Sequence, residues 1–252
     1  MSTDSSSNAP SSIETGKETL RMIIVALLIA LSLRTFAYEP FNIPSSSMVP
    51  TLLVGDFLFV SKYTYGYGSE GTFWGLIPFS GRLGGHAPRR GDVVVFKLPR
   101  DPSIDYIKRI IGLPGDTIQM KRGILYINGL PVDRSRVRHN EDSESPTSSD
   151  DFIEYTEFLP QGPAHIIREQ GDNRPLDNTD VFVVPPRHYF MMGDNRDNSQ
   201  DSRTANVGFV PEENLVGKAE ILFFSIDSHH HFWEFWTWPW SVRWSRLFDK
   251  VA

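Results

Sequence analysis

From Tyr38 onward the chain is written in short apolar runs separated by Gly and Pro. That punctuation disfavours a helix bundle and suits strands joined by turns. Phe57–Val60, Asp92–Phe96, Tyr106–Ile111, Thr117–Met120, Ile124–Ile127 and Lys218–Phe224 read as strands. Asn128-Gly129, directly after Ile127, is a hairpin-turn dipeptide, because both residues accept positive φ. The expected fold is mainly β: a large twisted antiparallel sheet built from 39–120 and 188–228, with a smaller β-rich domain inserted at 121–187. Asn140 to Asp151 in the insertion is acidic and Ser-rich, and no internal repeat is visible.

The two ends differ from this core. Residues 1–18 are polar and Ser-rich and bury too little to order, so a disordered tail is expected. Met22 to Leu33, bounded by Arg21 and Arg34, is apolar on all sides rather than striped. A spanning helix needs roughly 20 residues, a length reached over 19–38 if the two arginines reach outward to the headgroups. A cleavable leader and a buried core helix are the competing readings; the expectation is a single transmembrane helix at 19–38. Lys17 and Arg21 on one side against Arg34 on the other specify its orientation poorly. At the other end, five of the six Trp lie between Trp233 and Trp244. A membrane-interface tail over 229–252 and a packing or partner-binding tail both fit.

Composition removes several functions. The net charge of −6 comes without a dense basic block, which argues against nucleic acid. With no Cys, disulfides, thiol nucleophiles and thiolate zinc sites are excluded.

Three segments could carry chemistry. Phe41-Asn-Ile-Pro-Ser-Ser-Ser-Met-Val-Pro-Thr-Leu52 places three serines between prolines; it is either a plain linker or a restricted backbone holding one hydroxyl in place. Tyr106-Ile-Lys-Arg-Ile-Ile-Gly-Leu-Pro-Gly-Asp116, as a strand, puts Tyr106, Lys108 and Ile110 on one face and Ile107, Arg109 and Ile111 on the other. Lys108 is then either an exposed edge lysine or a desolvated amine able to act as a base. Gly193-Asp-Asn-Arg-Asp-Asn-Ser-Gln-Asp-Ser-Arg203 is dense in groups that bond one another, as a scaffold or, less fittingly given its two arginines, a calcium loop. Gly66-Tyr-Gly-Ser-Glu-Gly71 matches a dinucleotide fingerprint without the helix that should follow. His229 to His231 lack an adjoining acidic cluster.

Taken in order, these segments, with Gly208-Phe-Val-Pro211 after the third and an apolar segment before the first, resemble the bacterial type I signal peptidase (leader peptidase) family of Ser/Lys-dyad proteases. The resemblance implies a membrane-bound serine endopeptidase that removes signal peptides from secretory preproteins after a small-x-small motif such as Ala-x-Ala. The serine before Met, Ser47, is implied as nucleophile and Lys108 as general base. Ser45 and the Ser47 N–H would hold the oxyanion, Ser199 would orient the lysine, and Asp201 and Arg203 would brace the loop. Phe41, Ile43, Pro44, Met48, Leu52, Val95, Tyr106 and Ile107 would line shallow apolar pockets for small side chains. No cofactor and no metal is implied. Implied partners are preproteins emerging from the export machinery and the phospholipid membrane. The implied place is the bacterial inner (cytoplasmic) membrane, crossed once, with residues 1–18 cytoplasmic and the catalytic domain periplasmic. The family commonly has Gly where this chain has Ser46, some members have two membrane segments, and the Trp-rich tail has no evident counterpart. Two other classes stay open: a non-enzymatic tethered β protein binding through its Trp tail, and a self-cleaving Ser/Lys protease.

Overall fold

The computed structural model describes residues 12–68, 82–137, 152–227, 230 and 233–251. Residues 69–81, with the second half of the Gly66–Gly71 fingerprint, the acidic stretch at 140–151, and His229 and His231 lie outside them.

Helix α1 spans Ser12–Phe36. It takes in residues 12–18, assigned from composition to the tail; once the apolar turns nucleate a helix, adding Glu and Lys residues to its end costs little. From Leu20 to Leu31 every described large apolar side chain is exposed. Among the described residues no helix is long and apolar enough to cross a membrane.

The remainder is β structure. In chain order the strands are β1 (Tyr38–Asn42), β2 (Asp56–Ser61), β3 (Tyr67–Gly68), β4 (Arg82–Leu83), β5 (Val93–Leu98), β6 (Asp101–Gly112), β7 (Thr117–Lys121) and β8 (Ile124–Ile127). They continue as β9 (Leu130–Pro131), β10 (Asp133–Arg136), β11 (Ile153–Phe158), β12 (Ala164–Glu169), β13 (Phe182–Val183), β14 (His188–Met192), β15 (Val210–Pro211) and β16 (Leu215–Ser225). Seven form one antiparallel sheet in the order β1-β2-β16-β5-β6-β14-β15. A four-stranded sheet (β13-β7-β8-β9) and a three-stranded sheet (β10-β11-β12) arise between β6 and β14, so sheet membership changes at Thr117 and returns at His188. The β8–β9 turn is Asn128-Gly129, both with positive φ, as a tight hairpin requires.

Alternation along β5 shows why the large sheet is stable. Val93 and Val95 pack into one apolar cluster with Met48, Leu52 and Ile107; Val94, Phe96 and Leu98 pack into another with Ile110 and Met191. Both faces of the central strands are covered. A third cluster, from Ile111 and Phe190 to Leu125 and Leu159, joins the large sheet to the inserted strands.

The C-terminal segment runs back over the sheet rather than hanging free. Ile226 bridges Val242, Ile221 bridges Lys250, and Leu222 exchanges backbone hydrogen bonds with Phe248 and Asp249. Trp238, in the short helix Trp238–Ser241, packs on Phe224, while Trp233, Trp236, Trp240 and Trp244 are exposed.

Candidate active site

Ser47 lies in the turn between β1 and β2. Met48 and Leu52 are fully buried beneath it and the Leu52 N–H donates to the Met48 carbonyl, so the turn is plugged into the sheet by its own side chains. Across from it, β6 presents Lys108 next to Tyr106, whose ring centroid is 5.3 Å from Nζ. Lys108 Nζ is 2.7 Å from Ser47 Oγ and 2.8 Å from the Ile107 carbonyl. Lys108 is 4 % exposed and Ser47 8 %. Burial lowers the Lys108 pKa from 10.5 to about 8, with Asp201 and Asp194 pulling the other way. Ser45 Oγ is 3.3 Å from Ser47 Oγ.

A cavity of about 640 Å³ opens over this pair, the usual size of a ligand site. Phe41, Ile43, Pro44, Val95, Tyr106 and Ile107 line it, with Ser45, Ser47, Lys108 and Ser199. Met48 and Leu52 sit behind the wall, in the core, rather than lining it. Ser199 Oγ is buried and makes no hydrogen bond of good geometry. Asp201 and Arg203 form a fully buried bidentate pair at 2.9 and 2.8 Å. Burial would raise the Asp201 pKa, but Arg203 and the Gly193 N–H outweigh it and hold it low.

Reading by pattern missed the groups that tie the three segments together. Arg109, beside Lys108 but on the opposite face, is completely buried and grips Asp194 bidentately at 2.8 and 2.7 Å. Thr51 Oγ1, from the Ser47 turn, donates to the same carboxylate. Asn195 donates its N–H to the Ser47 carbonyl and its Nδ2 to the Ser46 carbonyl, both at 3.1 Å. Asn198 Nδ2 donates to Ser46 Oγ at 3.0 Å. Because the peptide is planar, holding the Ser46 carbonyl also sets the direction of the Ser47 N–H. One signal for Arg109 was available: an arginine sharing a strand face with Ile107 and Ile111 must find a carboxylate if that face is buried.

The inserted strands reach the same loop. Glu157 on β11 pairs with buried Arg196, and His165 on β12 has Nε2 3.5 Å from Glu157 and 3.9 Å from Asp194. Burial, then the Arg109 charge, lowers His165 to about pKa 4, so it stays neutral there.

A family model described as "Signal peptidase, peptidase S26" matches residues 16–224. The chain belongs to this family. Signal peptidase I of Rickettsia conorii is 41% identical over 220 residues, covering 84% of this chain and 81% of that protein. Signal peptidase I of Rickettsia canadensis is 44% identical over 206 residues, covering 78% and 76%. A crystal structure of a signal peptidase I from Enterococcus faecalis V583 is 26% identical and overlaps 53% of this chain and 97% of that one at a TM-score of 0.31. As a member of the signal peptidase family the chain is a serine peptidase that acts on signal peptides.

Gly193 tests how tightly this signal peptidase site is built. A Cβ there would lie 2.3 Å from Ser199 Oγ and 2.5 Å from the Ser47 carbonyl oxygen. Gly193→Ala is expected to push the Ser47 turn away from Lys108 and lower kcat more than it raises KM, with a stability loss of about 1–3 kcal/mol. Steady-state kinetics and thermal melts check this; wild-type kcat would show that the turn can yield freely.

Proposed function

We propose that this chain is a membrane-anchored endopeptidase that cuts signal peptides from secreted preproteins after a small-x-small motif, with Ser47 as nucleophile and neutral Lys108 as general base. One observation carries the reading: a desolvated lysine amine 2.7 Å from a buried serine hydroxyl. The Ile107 carbonyl accepts one Nζ–H, which leaves the amine lone pair for Ser47. Lys108 takes the Ser47 proton as Oγ attacks the scissile carbonyl. The Ser45 hydroxyl and the Ser47 N–H hold the oxyanion. The ammonium then protonates the leaving amine, and the base, neutral again, activates water for deacylation. Ser199 lines the same cavity as Lys108 and is assigned to orient the ammonium once it forms, and Asp201–Arg203 and Arg109–Asp194 hold the loop and strand in register. No cofactor or metal enters these steps.

Specificity follows from shape. Met48 and Leu52 pack in the core behind Phe41, Ile43, Val95 and Ile107, and shallow apolar subsites backed in this way would favour Ala-sized side chains over larger ones. For the membrane, the proposal rests on the exposed apolar girth of α1 and the exposed Trp233, Trp236, Trp240 and Trp244. We place the catalytic domain on the periplasmic side of a bacterial inner membrane, where preproteins leave the export machinery.

The test is cleavage of a purified preprotein carrying an Ala-x-Ala site, with the product N-terminus sequenced. Cleavage after the second Ala supports the proposal; cleavage elsewhere, or none by folded enzyme in detergent, overturns it. The pH profile adds a second check. The active form is the neutral amine, whose fraction rises with pH, so kcat/KM should climb about tenfold per pH unit and level off above about 8. A rate flat from about pH 6 to 10 would remove lysine as base.

A further inference from the structure

We infer that the C-terminal segment builds a second substrate subsite, an apolar pocket that takes side chains from the hydrophobic segment of the signal peptide upstream of the cleavage motif. This rests on the proposed function above. A separate cavity of about 550 Å³ lies next to the dyad cleft. Phe41, Asn42, Ile43 and Pro44 line both cavities, so the end of β1 is the ridge between them. The far wall of the second comes from Val54, Phe57, Ile226 and Trp233.

Position argues for the occupant. The small residues of the motif precede the cut and sit against Phe41 and Ile43. The residues before them must therefore leave the cleft past the same ridge. In a signal peptide those residues end an apolar stretch of about 7–15 residues, and the pocket they meet is walled by aliphatic and aromatic side chains.

The pocket is also preformed. Arg243 donates its N–H to the Ser225 carbonyl and its Nη1 to the Val54 carbonyl, each at 3.0 Å. Arg246 grips the fully buried Asp56 and donates Nη2 to the Thr51 carbonyl at 3.0 Å. These bonds latch the C-terminal segment onto the turn that carries Ser47. The family match ends at residue 224, so Ile226, Trp233 and both arginines lie beyond it.

The experiment uses the full chain in lipid-free detergent. Two substrates are compared: a whole preprotein, and a short peptide holding the Ala-x-Ala site without the apolar stretch. Two variants are tested, Trp233→Ala, which opens the pocket, and Val54→Phe, which fills it. Both are expected to raise KM for the preprotein about tenfold, as loss of one buried apolar side chain does, with kcat unchanged. Both should leave the constants for the short peptide as in wild type. Unchanged KM for the preprotein, or equal losses on both substrates, would overturn the subsite. So would a KM effect that appears only when phospholipid vesicles are added, since the pocket would then contact lipid. Failure of wild type to cut either substrate would instead overturn the signal-peptide reading itself, and this inference with it.

Discussion

Ser47→Ala and Lys108→Met are each expected to lower kcat/KM by on the order of 10⁶-fold, the size of loss seen when a serine protease loses its nucleophile or base. The two losses should not add, because the groups act as one unit. Lys108→Met is the more informative. Holding the amine neutral at about pH 8 instead of 10.5 corresponds to a differential of roughly 3 kcal/mol against the charged form. Methionine carries no such desolvation cost and has a similar length. The variant should therefore melt no lower than wild type at pH 7 while being inactive. Its loss of activity could then not be blamed on unfolding. Differential scanning calorimetry beside a cleavage assay decides this; an active Met variant would remove Lys108 from the mechanism.

The second large effect concerns the buried pair beneath the site. Arg109 and Asp194 are 0 % and 1 % exposed. Removing one partner strands the other charge in the core, which costs about 3–5 kcal/mol. For a chain of this size Asp194→Ala should lower Tm by roughly 10 °C. Arg109→Leu should do the same, and the double variant should recover part of the loss because no charge is left unpaired. Activity should fall with stability, since Asp194 also holds Thr51 of the Ser47 turn. The pair also has a pH signature. Burial would raise the Asp194 pKa, but the charge and hydrogen bonds of Arg109 hold it below 3.8. A carboxylate lowered in the folded state contributes stability that is complete above the unfolded value and is lost as pH falls through the folded one. Asp194→Ala should therefore destabilise fully at neutral pH and progressively less in acid below about pH 4. A pH-independent difference in Tm would mean that the carboxylate charge is not what holds Arg109.

Sequence pattern alone determined the β class, because strands and their turns are local. Short apolar runs bounded by turn residues mark β2, β5, β6, β7, β8 and β16, and Asn128-Gly129 marks a hairpin through its need for positive φ. The other ten described strands were not read individually, β1 and β14 of the large sheet among them. β1 contains Pro40, which only an edge strand tolerates. β14, His188–Met192, is buried on both faces and does not alternate. The two segments that carry Ser47 and Lys108 stood out locally, but which serine is the nucleophile, and that the lysine is its base, was implied only by the resemblance of the ordered segments to the signal peptidase family. What no local pattern decided was the surroundings that make them reactive. The 2.7 Å approach of Nζ to Oγ spans 61 residues, the Arg109–Asp194 pair spans 85, and the Arg246–Asp56 latch spans 190. Desolvation, and with it the lowered lysine pKa, is a property of everything packed around the amine. The tertiary structure alone supplies it.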